Sequence, residues 1–324
     1  DDVARAPGQL VPRAIPGDLA GVEPASATLR AAWLTRARGG AEGGATRLTA
    51  ILAANNLNQE TAGFLIGTDA YDDSARARTN PNPEAFRDAR SVRAQVRVDF
   101  DVAADTTVAV TPYVRWNEMD FLMHFLPSKA LEKNGHKSVG ILSGVYRTFA
   151  DGSELVIGAD GEVTDGSLSE VQSLPSFGSF PQGVHYNFDV VSLAGALYGH
   201  GEWQATDRLR VIGGIRWELT RYDYDNNAPS DTVGRFFRPA DRSDTFSVVT
   251  PKLGAVFALN ADNVLFANLA RGARAPQIFD LYRLQAAQTV GDVREEKIHS
   301  VELGARGTVR GVRYEVAAFA MQKK

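Results

Sequence analysis

Val92-Arg93-Ala94-Gln95-Val96-Arg97-Val98-Asp99-Phe100-Asp101-Val102 is the stretch on which the fold turns. Val92, Ala94, Val96, Val98, Phe100 and Val102 share one parity. Arg93, Gln95, Arg97, Asp99 and Asp101 share the other. Successive strand side chains point to opposite faces, so this is a strand with one apolar and one charged face. One such strand fits any half-exposed sheet. Its meaning depends on how often it recurs and on what joins the copies.

It recurs about twelve times. Thr28 to Ala37 pairs with Thr46 to Asn55 across the Gly39–Gly44 link. The stretch above turns at Ala103-Ala104-Asp105 into Thr107 to Asn117. Ser138 to Thr148 meets Glu154 to Thr164 across Asp151-Gly152, a hairpin dipeptide. Val190 to Trp203 turns into Leu209 to Tyr222, and Phe246 to Leu259 into the strand from Asn263. That strand stops near Gly272, before Pro276. Ser300 to Val309 turns at Arg310-Gly311 into Val312 to Met321. Between these pairs lie long polar segments near 56–88, 118–135, 165–185, 223–243 and 273–299. Short and long connections therefore alternate without a break.

Strict alternation puts every short turn on one side of the sheet and every long loop on the other. Outer-membrane barrels do this, and a soluble sandwich has no reason to. No apolar run approaches the ~20 residues of a membrane helix, but barrel strands alternate and hide from hydropathy. Trp116, Trp203 and Trp217 are expected to end the apolar faces as an interfacial girdle. The fold expected is all-β: an antiparallel transmembrane β-barrel segment, with 25–324 as barrel wall and 1–24 as part of an external loop. By the same parity the first strand runs inward from outside and the last runs outward. An odd number of strands is then expected beyond each end.

Composition narrows the chemistry. The 324 residues include no cysteine, which excludes thiolate metal sites and cysteine nucleophiles. A formal net charge of -4 disfavours a nucleic-acid surface. The start, Asp1-Asp2-Val3-Ala4-Arg5, is no signal peptide. No phosphate loop, nucleophile elbow, zinc-protease helix or dinucleotide fingerprint is legible, so no enzyme activity or cofactor is expected. The histidines at 124, 136, 185, 200 and 299 lack metal-ligand spacing. Asp223, Asp225 and Asn227 resemble the opening of a calcium loop, but Ala228 stands where glycine is required, so a solvated loop is the expectation.

Ala270-Arg271-Gly272-Ala273-Arg274-Ala275-Pro276, followed by Asp280-Leu281-Tyr282, resembles a run found late in TonB-dependent outer-membrane receptors. Ser300, Glu302, Leu303 and Gly304 resemble the strand that follows it there, and Thr250-Pro251-Lys252-Leu253-Gly254 the one before. Ala273 departs mildly, since many members carry an aromatic residue at that place. The resemblance implies a 22-stranded barrel closed by an N-terminal plug. It also implies uptake of a scarce, bulky nutrient, typically a ferric siderophore, driven by the TonB complex. Neither a plug nor a TonB-contacting segment is legible here.

Aromatic and basic residues suit an aromatic, anionic metal chelate and are the ligand-binding candidates. Phe121 to Pro127 is apolar yet falls on the loop side, as loop packing or as a ligand wall that includes His124 and Phe125. Tyr113 and Arg115 are expected at the top of their strand, facing the same vestibule. Tyr222, Tyr224, Arg235 and Arg238 are expected to join them. Inner charges such as Arg97, Asp99, Arg216 and Glu218 are expected to pair with one another or with a plug. The partners expected are a siderophore-like ligand, the TonB complex and outer-membrane lipid. A passive porin and a barrel enzyme are the alternatives, and heme, cobalamin, carbohydrate and copper stay open as ligands.

Overall fold

The computed structural model describes residues 26–41, 44–61 and 63–324, with side chains from residue 46 onward. The expected loop at 1–24 lies outside the described residues. Among the described residues, twelve long strands form one antiparallel sheet. They are β1 (Ser26–Ala41), β2 (Gly44–Glu60), β3 (Phe86–Ala103), β4 (Thr106–Leu122), β5 (Leu131–Thr148) and β6 (Glu154–Gln172). The sheet continues through β7 (Gly183–Thr206), β8 (Leu209–Asn226), β11 (Arg242–Asn260), β12 (Asn263–Arg274), β14 (Glu296–Val309) and β15 (Val312–Lys323). Each strand pairs with the next in sequence, so the sheet is a meander with β1 and β15 as its edges. A second sheet of three short strands lies in the long connections: β9 (Asp231–Val233), β10 (Phe236–Arg238) and β13 (Leu284–Gln285). A short α-helix, α1 (Ile278–Tyr282), precedes β13.

The two faces of the sheet are inverted relative to a soluble protein. On β5, Val139, Ile141 and Val145 are exposed, while Glu132 and Ser138 of the opposite parity are buried. The apolar face is therefore the outer one. On it, Lys137 and Arg147 bracket the apolar run. Ten residues of strand rise ~33 Å, or ~25 Å along the normal at the ~40° tilt of a barrel strand. That is the height of a barrel's apolar band. Ser143 falls inside the run, and its hydroxyl is satisfied by donating to the Ala159 carbonyl at 2.6 Å.

Glycines on the inner face make room for rings from neighbouring strands. A Cβ at Gly140 would overlap the Tyr113 ring, one at Gly158 the Tyr198 ring, and one at Gly304 the Phe266 ring. A ring laid over a strand glycine covers backbone that lacks a side chain of its own. Of the short turns, Arg310-Gly311 has both φ angles positive (52 and 81), the two-residue hairpin geometry whose twist matches the strands.

All twelve expected strands are present, but most run further. β5 begins at Leu131 rather than Ser138, β6 continues to Gln172, and β7 begins at Gly183. The segments expected as loops at 118–135 and 165–185 shrink to 123–130 and 173–182. The cause lies on the outer face. Beyond Trp116, Val139 and Val163 it turns polar, with Glu118, Lys137 and Asp165, so the alternation ends although the ladder does not. The β12 ladder likewise runs past Gly272 to the Arg274–Glu296 pair.

Trp116 stands opposite Lys137 at the polar border and Trp203 opposite Val211 beside a short turn, as a girdle requires. Trp217 does not. Leu219 follows it on the outer face before Arg221 appears, so it lies within the band. Its indole N–H donates to Ser247 Oγ at 2.9 Å on the adjoining strand.

Candidate functional site

The inner face divides into a charged wall and an apolar mouth. In the wall, Arg115 Nη2 lies 2.5 Å from Glu162 Oε2, and the Tyr113 hydroxyl donates to the same carboxylate. Thr164 donates to its second oxygen at 3.0 Å. One strand pair away, Arg216 reaches Asp160 at 2.6 Å and Glu218 at 3.1 Å. Arg97 pairs with Asp99 at 2.8 Å, and Arg47 with Asp101 at 2.6 Å. The expectation that these inner charges pair is met for Arg97, Asp99, Arg216 and Glu218. Tyr113 and Arg115 belong to this network in the middle of β4, not at its top. A recess of 180 Å³ lies beside it, lined by Tyr113, Asp160, Glu162 and Arg216.

Nearer the long loops the same face is apolar. Tyr186, Phe188 and Val190 of β7 and Tyr222 and Tyr224 of β8 are buried beneath Leu281 and Tyr282 of α1, Leu284 and Val290. The Tyr224 and Tyr282 rings stack at 4.3 Å. The Tyr282 hydroxyl donates to Asp244 at 2.9 Å, and burial, with that acidic partner, pushes the phenol well above its ordinary range. The Tyr222 hydroxyl donates to the Pro276 carbonyl at 3.1 Å. Each buried ring is worth ~2 kcal/mol of transfer free energy, so this cluster is a miniature soluble core. Tyr222 and Tyr224, expected to face a vestibule, are instead packing residues of that core. Local sequence starts α1: Gln277 and Asp280 form a capping box.

Arg283, at the end of α1, fastens this lid to the wall. It lies 2.6 Å from Glu170 on β6 and 3.0 Å from Glu132 on β5. Glu170 also meets His185 Nδ1 at 2.9 Å, and His185 Nε2–H donates to the Pro181 carbonyl at 2.9 Å. His185 and Glu170 are essentially fully buried. Arg283, Glu170, Glu132 and His185 do not stand out in the sequence as a group. Their one signal is parity: both glutamates continue the inner faces of strands whose outer pattern has faded.

The remaining candidates separate. Arg235 donates to Gln285 at 2.7 Å and lies over the Phe180 ring at 4.8 Å, partly open. Arg238 is buried and donates to the Val184 carbonyl at 3.3 Å. Phe121 and Leu122 belong to β4, while Phe121 and Met123 are buried with Ala130. Phe125 is half exposed, and His124 lies edge-on to it at 5.8 Å. Phe121 to Pro127 thus divides, part loop packing and part open surface. Arg283 Nη2 also touches Met123 Sδ at 3.1 Å, which joins this segment to α1. A crevice of 130 Å³ runs between α1 and the wall, lined by His136, Thr164, Phe188, Val190, Ile278 and Phe279. Small-molecule sites usually hold ~300–1,000 Å³, so a bulky chelate does not fit inside it. Phe279 of α1 is exposed, so Phe125, Phe279 and Arg235 keep open surface at the mouth.

Comparison with known proteins agrees with this architecture. No curated protein matches the chain. Among solved structures, the alcaligin outer-membrane receptor FauA from Bordetella pertussis superposes with a TM-score of 0.61 at 14% identity, over 91% of this chain and 44% of that one. The unliganded ferric citrate transporter FecA gives 0.68 at 17% identity, over 92% and 44%. The copper transporter OprC gives 0.57 at 14%, over 91% and 52%. The chain thus spans about half the length of these relatives, and at such identities the likeness concerns the fold. A family model, TonB dependent receptor-like β-barrel, matches residues 28–324. By that match across nearly its whole length, together with the meander and its inverted faces, the chain belongs to the β-barrel family of TonB-dependent receptors.

Proposed function

We propose that this chain is part of the barrel wall and mouth of a Gram-negative outer-membrane receptor that imports a scarce nutrient, with a ferric siderophore as the ligand class and the TonB complex as the energy source. The observation that carries the reading is the filled mouth. A passive pore needs an open polar lumen, whereas here α1 and its flanking loops build a buried apolar core on the inner face. Family membership and the transport receptors among the structural neighbours support it. They also weigh against a barrel enzyme.

The ligand would rest on the lid rather than inside a closed pocket. Phe125 and Phe279 offer aromatic faces, and Arg235 a guanidinium that stays partly open above Phe180. Aromatic rings with arginine suit a flat, anionic chelate by stacking and charge. Arg115 is already committed to Glu162, and Arg238 is buried, so neither is free for that role.

The test is uptake by cells that carry the full-length receptor, with radiolabelled ferric siderophores of the catecholate and hydroxamate classes. Saturable uptake that stops when the proton gradient is collapsed is the expected result. Uptake linear in concentration and indifferent to the gradient would identify a diffusion channel.

A further inference from the structure

We propose that a buried proton holds the lid: His185 carries hydrogen on both ring nitrogens, and α1 and the 173–182 loop loosen when it sheds one. The inference goes beyond the transport reading and holds whatever ligand is carried. His185 Nδ1 lies 2.9 Å from Glu170 Oε1, and Nε2 lies 2.9 Å from the Pro181 carbonyl oxygen. A carboxylate and a carbonyl both accept. A neutral imidazole has one N–H, so it answers one of them and turns a lone pair on the other. The two side chains are 0% and 1% exposed, so the mismatch would fall where solvent does not reach.

The surroundings suit an imidazolium. The second Glu170 oxygen accepts from Arg283 at 2.6 Å, a contact made by a carboxylate. The Phe236 ring stacks on the imidazole at 3.9 Å, and an aromatic face suits a cation. Arg283 also meets Glu132 at 3.0 Å, so two cations, Arg283 and His185, balance two carboxylates. Arg235 and Arg238 flank Phe236 and Phe237, but they donate to Gln285 and to the Val184 carbonyl. Tyr186 donates to the Leu284 carbonyl, and the 173–182 loop has no titratable side chain. Loss of the Nδ1 proton therefore leaves one buried negative charge uncompensated. Pro181 ties the loop to this cluster and Arg283 ties α1 to it, so both are released together. The closed form binds one proton more than the open form with a neutral imidazole, so closure weakens as the pH rises. On the orientation proposed above, the lid meets the external medium and responds to its alkalinity.

Hydrogen exchange of the full-length receptor tests this near pH 6 and near pH 9, either side of the range in which histidines titrate. Rates are referred to those of an unstructured chain at each pH. Protection of the 173–182 loop and α1 should fall about tenfold at the higher pH, the worth of one hydrogen bond to a charged group. The middle of β6 should stay protected. His185→Gln should abolish the dependence, because its amide does not titrate. Glu170→Gln should abolish it too, at lower protection throughout, since its amide can donate to a neutral His185 and accept from Arg283. His136→Gln, at the crevice beside α1, should keep it. A second readout is ¹⁵N NMR of the histidine-labelled receptor near pH 6. The signal absent from His185→Gln should show both ring nitrogens protonated. Equal protection at the two pH values, a dependence that survives His185→Gln, or an unprotonated ring nitrogen at the lower pH would overturn the proposal and leave the transport reading intact.

Discussion

The two ends of β7 carry opposite chemistry on one face. Near the short turn the inner residues are Tyr198, His200 and Glu202, while near the long loops they are Tyr186, Phe188 and Val190. The ladder is continuous between them, so the backbone does not make the difference. In the wall, inner side chains are tied by ion pairs and outer ones are apolar and exposed. In the mouth, inner side chains form a core that exists only because α1 and its neighbours fold back over them. The wall is held by its ladder and its surroundings, and the mouth by its own packing. The two regions should therefore fail independently.

The largest separation is expected from Tyr282→Ala. It removes a fully buried ring, its stack on Tyr224 and the hydrogen bond to Asp244. Loss of ~3–5 kcal/mol should open the 275–295 segment to limited proteolysis. The heat-modifiable migration of the folded barrel on gels should stay as in the parent. Joint loss of both would mean that mouth and wall form one cooperative unit.

Glu170→Gln is expected to follow. It strips a buried charge from Arg283 and His185 at once, and such a break costs ~3 kcal/mol or more. Amide exchange in α1 should rise while exchange in the middle of β6 stays slow. Equal acceleration along β6 would show that the latch also supports the wall.

The wall has its own weak point at Gly158. A methyl there meets the Tyr198 ring and the Ser143 carbonyl. Gly158→Ala should cost ~1–3 kcal/mol and lower the yield of assembled barrel. Loop proteolysis in the barrels that do assemble should not change.

The smallest effect concerns Glu84, whose carboxylate is paired with Lys129 across two long loops. That contact lowers it from 4.5 to about 2. The folded value is the lower one, so the link is fully present above 4.5 and is lost as the pH falls towards about 2. Spin labels at positions 82 and 127 should give a narrow distance distribution at neutral pH that broadens below about pH 4. Glu84→Gln should be broad throughout. A distribution that ignores both pH and the substitution would remove the pair from the account.

These contrasts show what the sequence makes legible. The strand core from Val92 to Val102 announces itself because its two faces differ in polarity. Both continuations of that signal fail for physical reasons. Above the band the outer face turns polar, so Lys133, Ser167 and Asp189 look like loop although they sit in strands. On the inner face, Tyr222 and Tyr224 look like ligand contacts because nothing local says that Leu281 and Tyr282 will cover them. Arg235 and Arg238 flank Phe236 and Phe237 in the sequence, yet one stays partly open and the other is buried, and only the packing of β9, β10 and β13 distinguishes them. Parity puts Tyr113 and Arg115 opposite Val114 and Trp116, but their height on β4 depends on where the strand ends, which parity does not reveal.

The central claim is that alternate residues of one strand touch lipid and water. The chain has no cysteine, so single cysteines can be placed at exposed positions of both parities on β5 in the full-length receptor and spin-labelled in bilayers. Positions 139, 141 and 145 should be reached by oxygen dissolved in the bilayer, and positions 142 and 146, exposed on the inner parity, by a water-soluble nickel chelate. That period of two, in that phase, is the result the account predicts. Uniform accessibility, or the opposite phase, would contradict it.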